Sequence, residues 1–298
     1  MSDLRSASPQ QLYVQWRRGD PEAGQAMAQR FSDWYYAVTS SRLGDSNGRV
    51  PLQRSCTRFQ QGIGAVKEAD LVTWSHSILA EELQTAGGRI AGGDFPNVLT
   101  GNRSPVELLR KAQAALPRQE LQLLAHAYDS SYPYDQVTRE AEALGGMPLA
   151  VLRARYELKR WLRDNEKIAF TEIPTEPNLD YQPLPLYEAG RMSTNAEETG
   201  FEKWLLSNMP LCKDIAEFGV FALALRAGAV RDLPAAGPQK AAAPRLPEAA
   251  PVRPDVAPKS GSTKSTGASA AAPILLIALA GLGGLVVVGV IVAFVLLG

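Results

Sequence analysis

The chain has 298 residues, 31 of them basic and 31 acidic, so formal net charge is zero and no global basic field marks it for nucleic acid. Its two cysteines, Cys56 and Cys212, are too few and too far apart for a disulfide framework or a paired-thiolate metal site, and a reduced setting is the simpler reading. The N-terminal stretch MSDLRSASPQQLYVQWRRGD has no apolar core region, which excludes a secretory signal within it.

Residues 8–44 predict two helices. Ser8-Pro9 supplies a cap and a first-turn proline, and Leu12, Tyr13 and Trp16 recur at helical spacing. Asp20-Pro21 opens a second helix, with Met27, Phe31, Trp34, Tyr35 and Val38 on one side and Gly44 at its end. An aromatic stripe at that spacing is what core packing demands. Residues 45–60 are expected to be turn-rich, then briefly helical. Ala65 to Gln84 predicts a helix with Leu71, Trp74, Ile78 and Leu83 inward and His76 beside them. Residues 86–104 carry five glycines without phosphate-loop spacing and predict a linker.

A second helical unit opens at Ser104-Pro105. Leu108, Leu109, Ala112 and Leu116 form one face, and Leu121, Leu124 and Ala125 mark the next helix. Gln136 to Leu144, the glycines Gly145-Gly146 and a helix from Pro148 have the layout of a helix-turn-helix. Arg153, Arg155, Lys159, Arg160 and Arg163 on the last helix are the candidate nucleic-acid contacts; a solvated basic face is the competing reading. Further on, 166–183 is proline-rich, a helix runs from Asn195 through Phe201, Trp204 and Leu205, and Cys212 to Leu225 is strongly apolar.

These segments resemble extracytoplasmic-function sigma factors. The likeness rests on Trp16-Arg17-Arg18-Gly19-Asp20-Pro21-Glu22-Ala23 leading into Phe31, Tyr35 and Tyr36, and on Trp74 with Ile78-Leu79-Ala80. Leu116-Pro117 and Tyr134-Asp135-Gln136-Val137 through Leu162-Arg163 extend it. The resemblance implies RNA polymerase core and promoter DNA as partners. Two departures stand against it. The segment Val50 to Gly64, where the family carries acidic polymerase contacts, has no acid, and Glu81-Glu82 stand where arginines are usual. Residues 178–227 resemble the small zinc-binding unit of anti-sigma factors through Tyr187, Gly190, Met192 and Ser193. Trp204 and Asn208 occupy the expected histidine and first cysteine positions, so no metal and no cofactor is expected.

Residues 228–272 are rich in alanine and proline, carry an excess of basic over acidic residues, and predict a disordered tether. From Ile274 to Gly298 every residue is Ile, Leu, Val, Ala, Phe or Gly. At ~1.5 Å per residue this run is long enough for a ~30 Å hydrocarbon core. The basic residues Arg253, Lys259 and Lys264 before it put the N-terminal part on the cytoplasmic side of a cell inner membrane, in single-pass topology. Ala280 with Gly284, and Gly289 with Ala293, are small-residue pairs suited to helix packing within the bilayer and a homodimer.

The expectation is therefore an all-α protein. It comprises a sigma-like domain at 8–90, a sigma-like helix-turn-helix domain at 104–166, an anti-sigma-like unit at 178–227, a tether at 228–272 and a transmembrane helix at 273–298. Its expected function is that of a membrane-anchored regulator acting through protein contacts, on polymerase or another regulatory protein, with DNA as a further candidate partner. The alternative is a membrane-tethered scaffold that has lost polymerase and DNA binding. No paired histidines, nucleophile elbow or ligand cluster suggests an enzyme.

Overall fold

The computed structural model describes residue 4 and residues 6–230. The apolar run 273–298, with Ala280, Gly284, Gly289 and Ala293, lies outside the described residues, as does the tether beyond Val230. Among the described residues the protein is all-helical, and no helix is long and apolar enough to cross a membrane.

Local sequence explains most helix starts. In α1 (Pro9–Arg17) Ser8 accepts from the Gln11 amide while the Gln11 side chain accepts from the Ser8 amide, forming a capping box. In α2 (Pro21–Gly62) the Asp20 carboxylate accepts from the Glu22 and Ala23 amides. After α3 (Leu71–Thr85), Ser104 caps α4 (Pro105–Ala115) in the same way. The next elements are α5 (Arg118–Tyr128), α6 (Tyr134–Glu142), α7 (Leu149–Glu166) and α8 (Pro183–Ala189). α9 (Asn195–Leu205), capped by Thr194, and α10 (Met209–Arg226) complete the body.

The 42-residue span of α2 is a hairpin. Gly44 has φ 73° and ψ 164°, and there the chain reverses. Phe31 and Phe59 stack with ring centroids 4.4 Å apart, and Ser32 meets Cys56. In a straight helix residues 28 apart would be ~42 Å distant, so the arms 21–43 and 45–62 must lie antiparallel. The expectation of turns over 45–60 is thus corrected. Ser55, Cys56 and Phe59 form a buried stripe that packs on the first arm, and this packing overrides weak local propensity and Pro51. Gly48 lets the arms close, since a Cβ there would sit 3.2 Å from the Thr39 backbone.

Two hydrophobic clusters fill the body. The first joins α1, both arms of α2 and α3: Leu12, Phe31, Trp34, Tyr35, Phe59 and Leu71 are buried in it. The second joins α4, α5, α6 and most of α7. The three units expected at 8–90, 104–166 and 178–227 are not separate in space. Leu152 and Tyr156 of α7 enter the first cluster, while Ala154, Leu158 and Leu162 of the same helix enter the second. α10 is divided likewise. Leu211, Cys212 and Ile215 close the first cluster, and Phe218, Val220, Phe221 and Leu225 close the second.

A unit of about 50 residues without disulfide or metal rarely buries enough surface to stand alone. Residues 178–227 solve this by completing the cores of their neighbours. Burying a large apolar side chain stabilises by roughly 1.5–3 kcal/mol. The seven large apolar residues of α10, Leu211, Ile215, Phe218, Val220, Phe221, Leu223 and Leu225, therefore contribute on the order of 10–20 kcal/mol as an upper bound, comparable to the whole stability of an ordinary domain. The body also extends slightly past the expected boundary at 228, since Val230 is buried against the second cluster.

The glycine-rich stretch 86–104 runs across this assembly as a strap. The Ile90 amide donates to the Arg42 carbonyl at 3.0 Å, and the Gly93 amide to the Leu223 carbonyl at 3.1 Å. Asp94 then accepts from the Val106 amide in the first turn of α4.

Candidate functional site

α7 is the helix on which the sequence places its candidate contacts, and the structure separates them. Arg155 and Lys159 are fully buried. Arg155 donates to Glu188 of α8 through Nε at 3.0 Å and Nη2 at 2.8 Å, and its Nη1 lies 2.5 Å from Asp214 of α10. Lys159 pairs with the other oxygen of Asp214, donates to the Glu172 carbonyl at 3.2 Å and lies 3.7 Å from Glu217. Tyr128 of α5 donates to Glu188 as well. The aliphatic and cationic parts are packed too: Arg155 lies over the Phe218 ring at 4.2 Å and Lys159 over Phe170 at 4.7 Å.

The expected DNA role of Arg155 and Lys159 is therefore corrected. A phosphate backbone cannot reach side chains without solvent exposure whose charge carboxylates already neutralise. Of the remaining three, Arg153 and Arg163 are exposed and Arg160 is half-buried, and each has partners of its own. Arg153 donates to the Leu144 carbonyl at 3.1 Å, and Arg160 donates to Glu157 at 2.6 Å and the Pro174 carbonyl at 3.1 Å. Arg163 donates to Asp164 at 2.7 Å. The five side chains do not converge on one outward surface.

The electrostatics of the cluster follow from its burial. Burial pushes the Glu188 carboxyl above its ordinary range, and the Arg155 charge and hydrogen bond offset this in part. Burial would lower Arg155, but Asp214 and Glu188 together raise it well above its ordinary value. A buried charge without such partners would cost several kcal/mol.

A second buried cluster ties α9 to the first core. Glu202 accepts from Arg42 Nε at 2.8 Å and from the Tyr187 hydroxyl at 2.9 Å, and lies 2.9 Å from His76 Nε2. The Trp34 indole donates to the Glu202 carbonyl at 2.7 Å. Burial favours a raised carboxyl here, but the hydrogen bond from His76 and the Arg42 charge hold Glu202 below its ordinary range. Arg89 of the strap pairs with Glu198 at 2.6 Å and lies over the Tyr187 ring at 5.1 Å.

Arg226, in the last turn of α10, links the two clusters. It is 5% exposed, and it donates to the Glu188 carbonyl at the end of α8 and to the Ser41 carbonyl near the end of the first α2 arm, both at 2.7 Å. Both acceptors are C-terminal helix carbonyls, where the helix dipole favours a cation. Burial and the nearby Arg89 charge lower Arg226 to about 9, which leaves it charged at neutral pH.

The acids Glu188, Glu202, Asp214 and Glu217 were missed by sequence reasoning. A signal existed: Arg155 and Lys159 fall between the apolar positions Val151, Leu158 and Leu162 on one side and Leu152 and Tyr156 on the other, not opposite them. Cations within a buried stripe imply acids on the helices that cover it.

Cys56 and Cys212 are both buried and free, and Cys212 donates to the Leu205 carbonyl at 3.1 Å. Among the described residues no group of three metal-ligating side chains occurs. A surface cleft lies between the second arm of α2 and the end of α3, lined by Val50, Gln53, Arg54, Thr57, Arg58 and Glu82. Within it Arg58 is held by Glu81 at 2.6 Å and Glu82 at 3.1 Å.

No protein-family model, curated protein or solved structure matches this chain.

Proposed function

We propose that this chain is a membrane-anchored regulatory protein of the sigma/anti-sigma type, acting through protein–protein contacts. The observation that carries this reading is the buried cluster Arg155, Lys159, Glu188 and Asp214. Through it the anti-sigma-like segment occupies the basic helix of the sigma-like part, as a bound regulator occupies its target. The apolar run 274–298 and the basic residues before it support anchoring in the inner membrane with the helical body in the cytoplasm. The same run, with its small-residue pairs, supports self-association within the bilayer.

A second reading has its own support. All five basic side chains of α7 have intramolecular partners, and Arg58 in the cleft on α2 is paired with Glu81 and Glu82. These features favour a membrane-tethered scaffold that no longer binds DNA or polymerase.

Affinity purification of the full chain from solubilised membranes separates the two. Co-purification of RNA polymerase subunits at stoichiometric level is the result expected of the regulator. If polymerase is absent and promoter footprinting is blank, the transcriptional reading falls and the scaffold stands.

A further inference from the structure

Regulation by a seated segment turns on whether residues 178–226 leave their target. We propose that they do not. The segment is a permanently seated intramolecular partner, because its last helix is part of both hydrophobic clusters. This inference rests on the regulatory reading for its meaning and on packing alone for its argument.

A releasable clamp needs an interface that both sides survive losing. Such interfaces are modest in area, polar at the rim and backed by a complete core on each side. α10 has the opposite character. Its first half completes one hydrophobic cluster and its second half completes the other, so withdrawal would open both. Helices built into a core open only at free energies near that of global unfolding.

Polar contacts at both ends and close packing at the middle hold the same helix. Asp214 near its start holds Arg155 and Lys159. Gly219 at its middle faces the first arm of α2, where a Cβ would lie 3.7 Å from the Ser40 carbonyl oxygen. Arg226 at its end bridges the Glu188 and Ser41 carbonyls. The strap then crosses the last turn, with the Gly93 amide on the Leu223 carbonyl and Gly92 so close that a Cβ would fall 2.4 Å from that oxygen. α10 cannot leave unless the strap lifts and Arg155 and Lys159 lose Asp214.

Native-state hydrogen exchange on the full chain in lipid nanodiscs, at increasing low denaturant, tests this. Amides of Phe221 and Leu223 should exchange with the same free energy and denaturant dependence as those of Trp34 and Val38. Exchange in α10 at least about 100-fold faster, with α2 still protected, would overturn the proposal, because it would reveal a separate opening.

A crosslink gives a second measurement. Ser40→Cys with Gly219→Cys brings two side chains within disulfide reach. Oxidation should not slow α10 selectively relative to α2; selective slowing would mean that α10 opens locally and would also overturn the proposal. Should the double variant misfold, exchange in the native chain decides. A negative polymerase purification leaves both measurements untouched, so the two failures are distinguishable.

Discussion

Arg155 and Glu188 meet where neither side chain reaches solvent: two hydrogen bonds, at 3.0 and 2.8 Å, join α7 to α8. Asp214 from α10 completes the neutralisation of Arg155. Breaking one partner of a buried pair leaves an uncompensated charge and costs about 3–5 kcal/mol. Arg155→Ala should therefore lower the urea midpoint strongly, while Arg153→Ala, at the surface of the same helix, should stay within about 0.5 kcal/mol of the parent. A double-mutant cycle of Arg155→Ala with Glu188→Ala should return a coupling of about 1 kcal/mol or more. Near-zero coupling would mean that the pair is held by its surroundings and adds nothing.

Glu202 makes stability depend on acid. Its ordinary value is 4.5, and folding lowers it, so the unfolded chain takes up the proton more readily. The stabilisation it supplies is complete above about pH 4.5 and is lost as pH falls through the lower folded value. Glu202→Gln should thus be less stable than the parent at pH 7, with a gap that narrows below pH 4.5. Denaturant titrations at pH 7, 5, 4 and 3 check this; a gap that does not change with pH would remove Glu202 as the cause. Glu188, raised by burial, acts with the opposite sign above its ordinary value, which is why the comparison must be between variants and not across pH alone.

Gly44 is required by backbone geometry. Its φ of 73° and ψ of 164° fall in a region open essentially to glycine, and a Cβ would stand 3.0 Å from the Leu223 side chain. Gly44→Ala should cost about 1–3 kcal/mol. Gly64→Ala, where a Cβ meets nothing within 4 Å, should be near neutral. Equal effects at both positions would mean that the hairpin reversal tolerates a side chain.

The surface arginines of α7 allow a direct test of DNA contact. Arg153, Arg160 and Arg163 already donate to Leu144, Glu157 and Asp164. Replacing all three with alanine should leave any weak DNA retention, and its dependence on salt, unchanged. A fall of about 2–3 in the slope of log affinity against log salt would instead restore α7 as a phosphate-binding surface.

Much of the architecture was legible in local sequence. The capping residues Ser8, Asp20 and Ser104 act as caps, and the stripe Met27, Phe31, Trp34, Tyr35 and Val38 is core. Caps and stripes are read within one or two helical turns, so no distant residue is needed to recognise them. The second arm of α2 was not legible, because its helicity depends on Phe31 stacking with Phe59 across the reversal. Nor were the acids of the candidate site. Glu188 and Asp214 stand 33 and 59 residues beyond Arg155, and no short-range pattern relates them.

Helicity of the body, most helix starts and the apolar faces follow from local residues alone. So does the uncharged run from Ile274 to Gly298, since hydropathy is a property of composition. Only tertiary structure decided the fate of the charges. Whether an arginine meets phosphate or a buried carboxylate depends on which helix covers it, and that is set by how α10 divides itself between two cores. Side-chain type fixes what a residue can bond; packing fixes what it does bond.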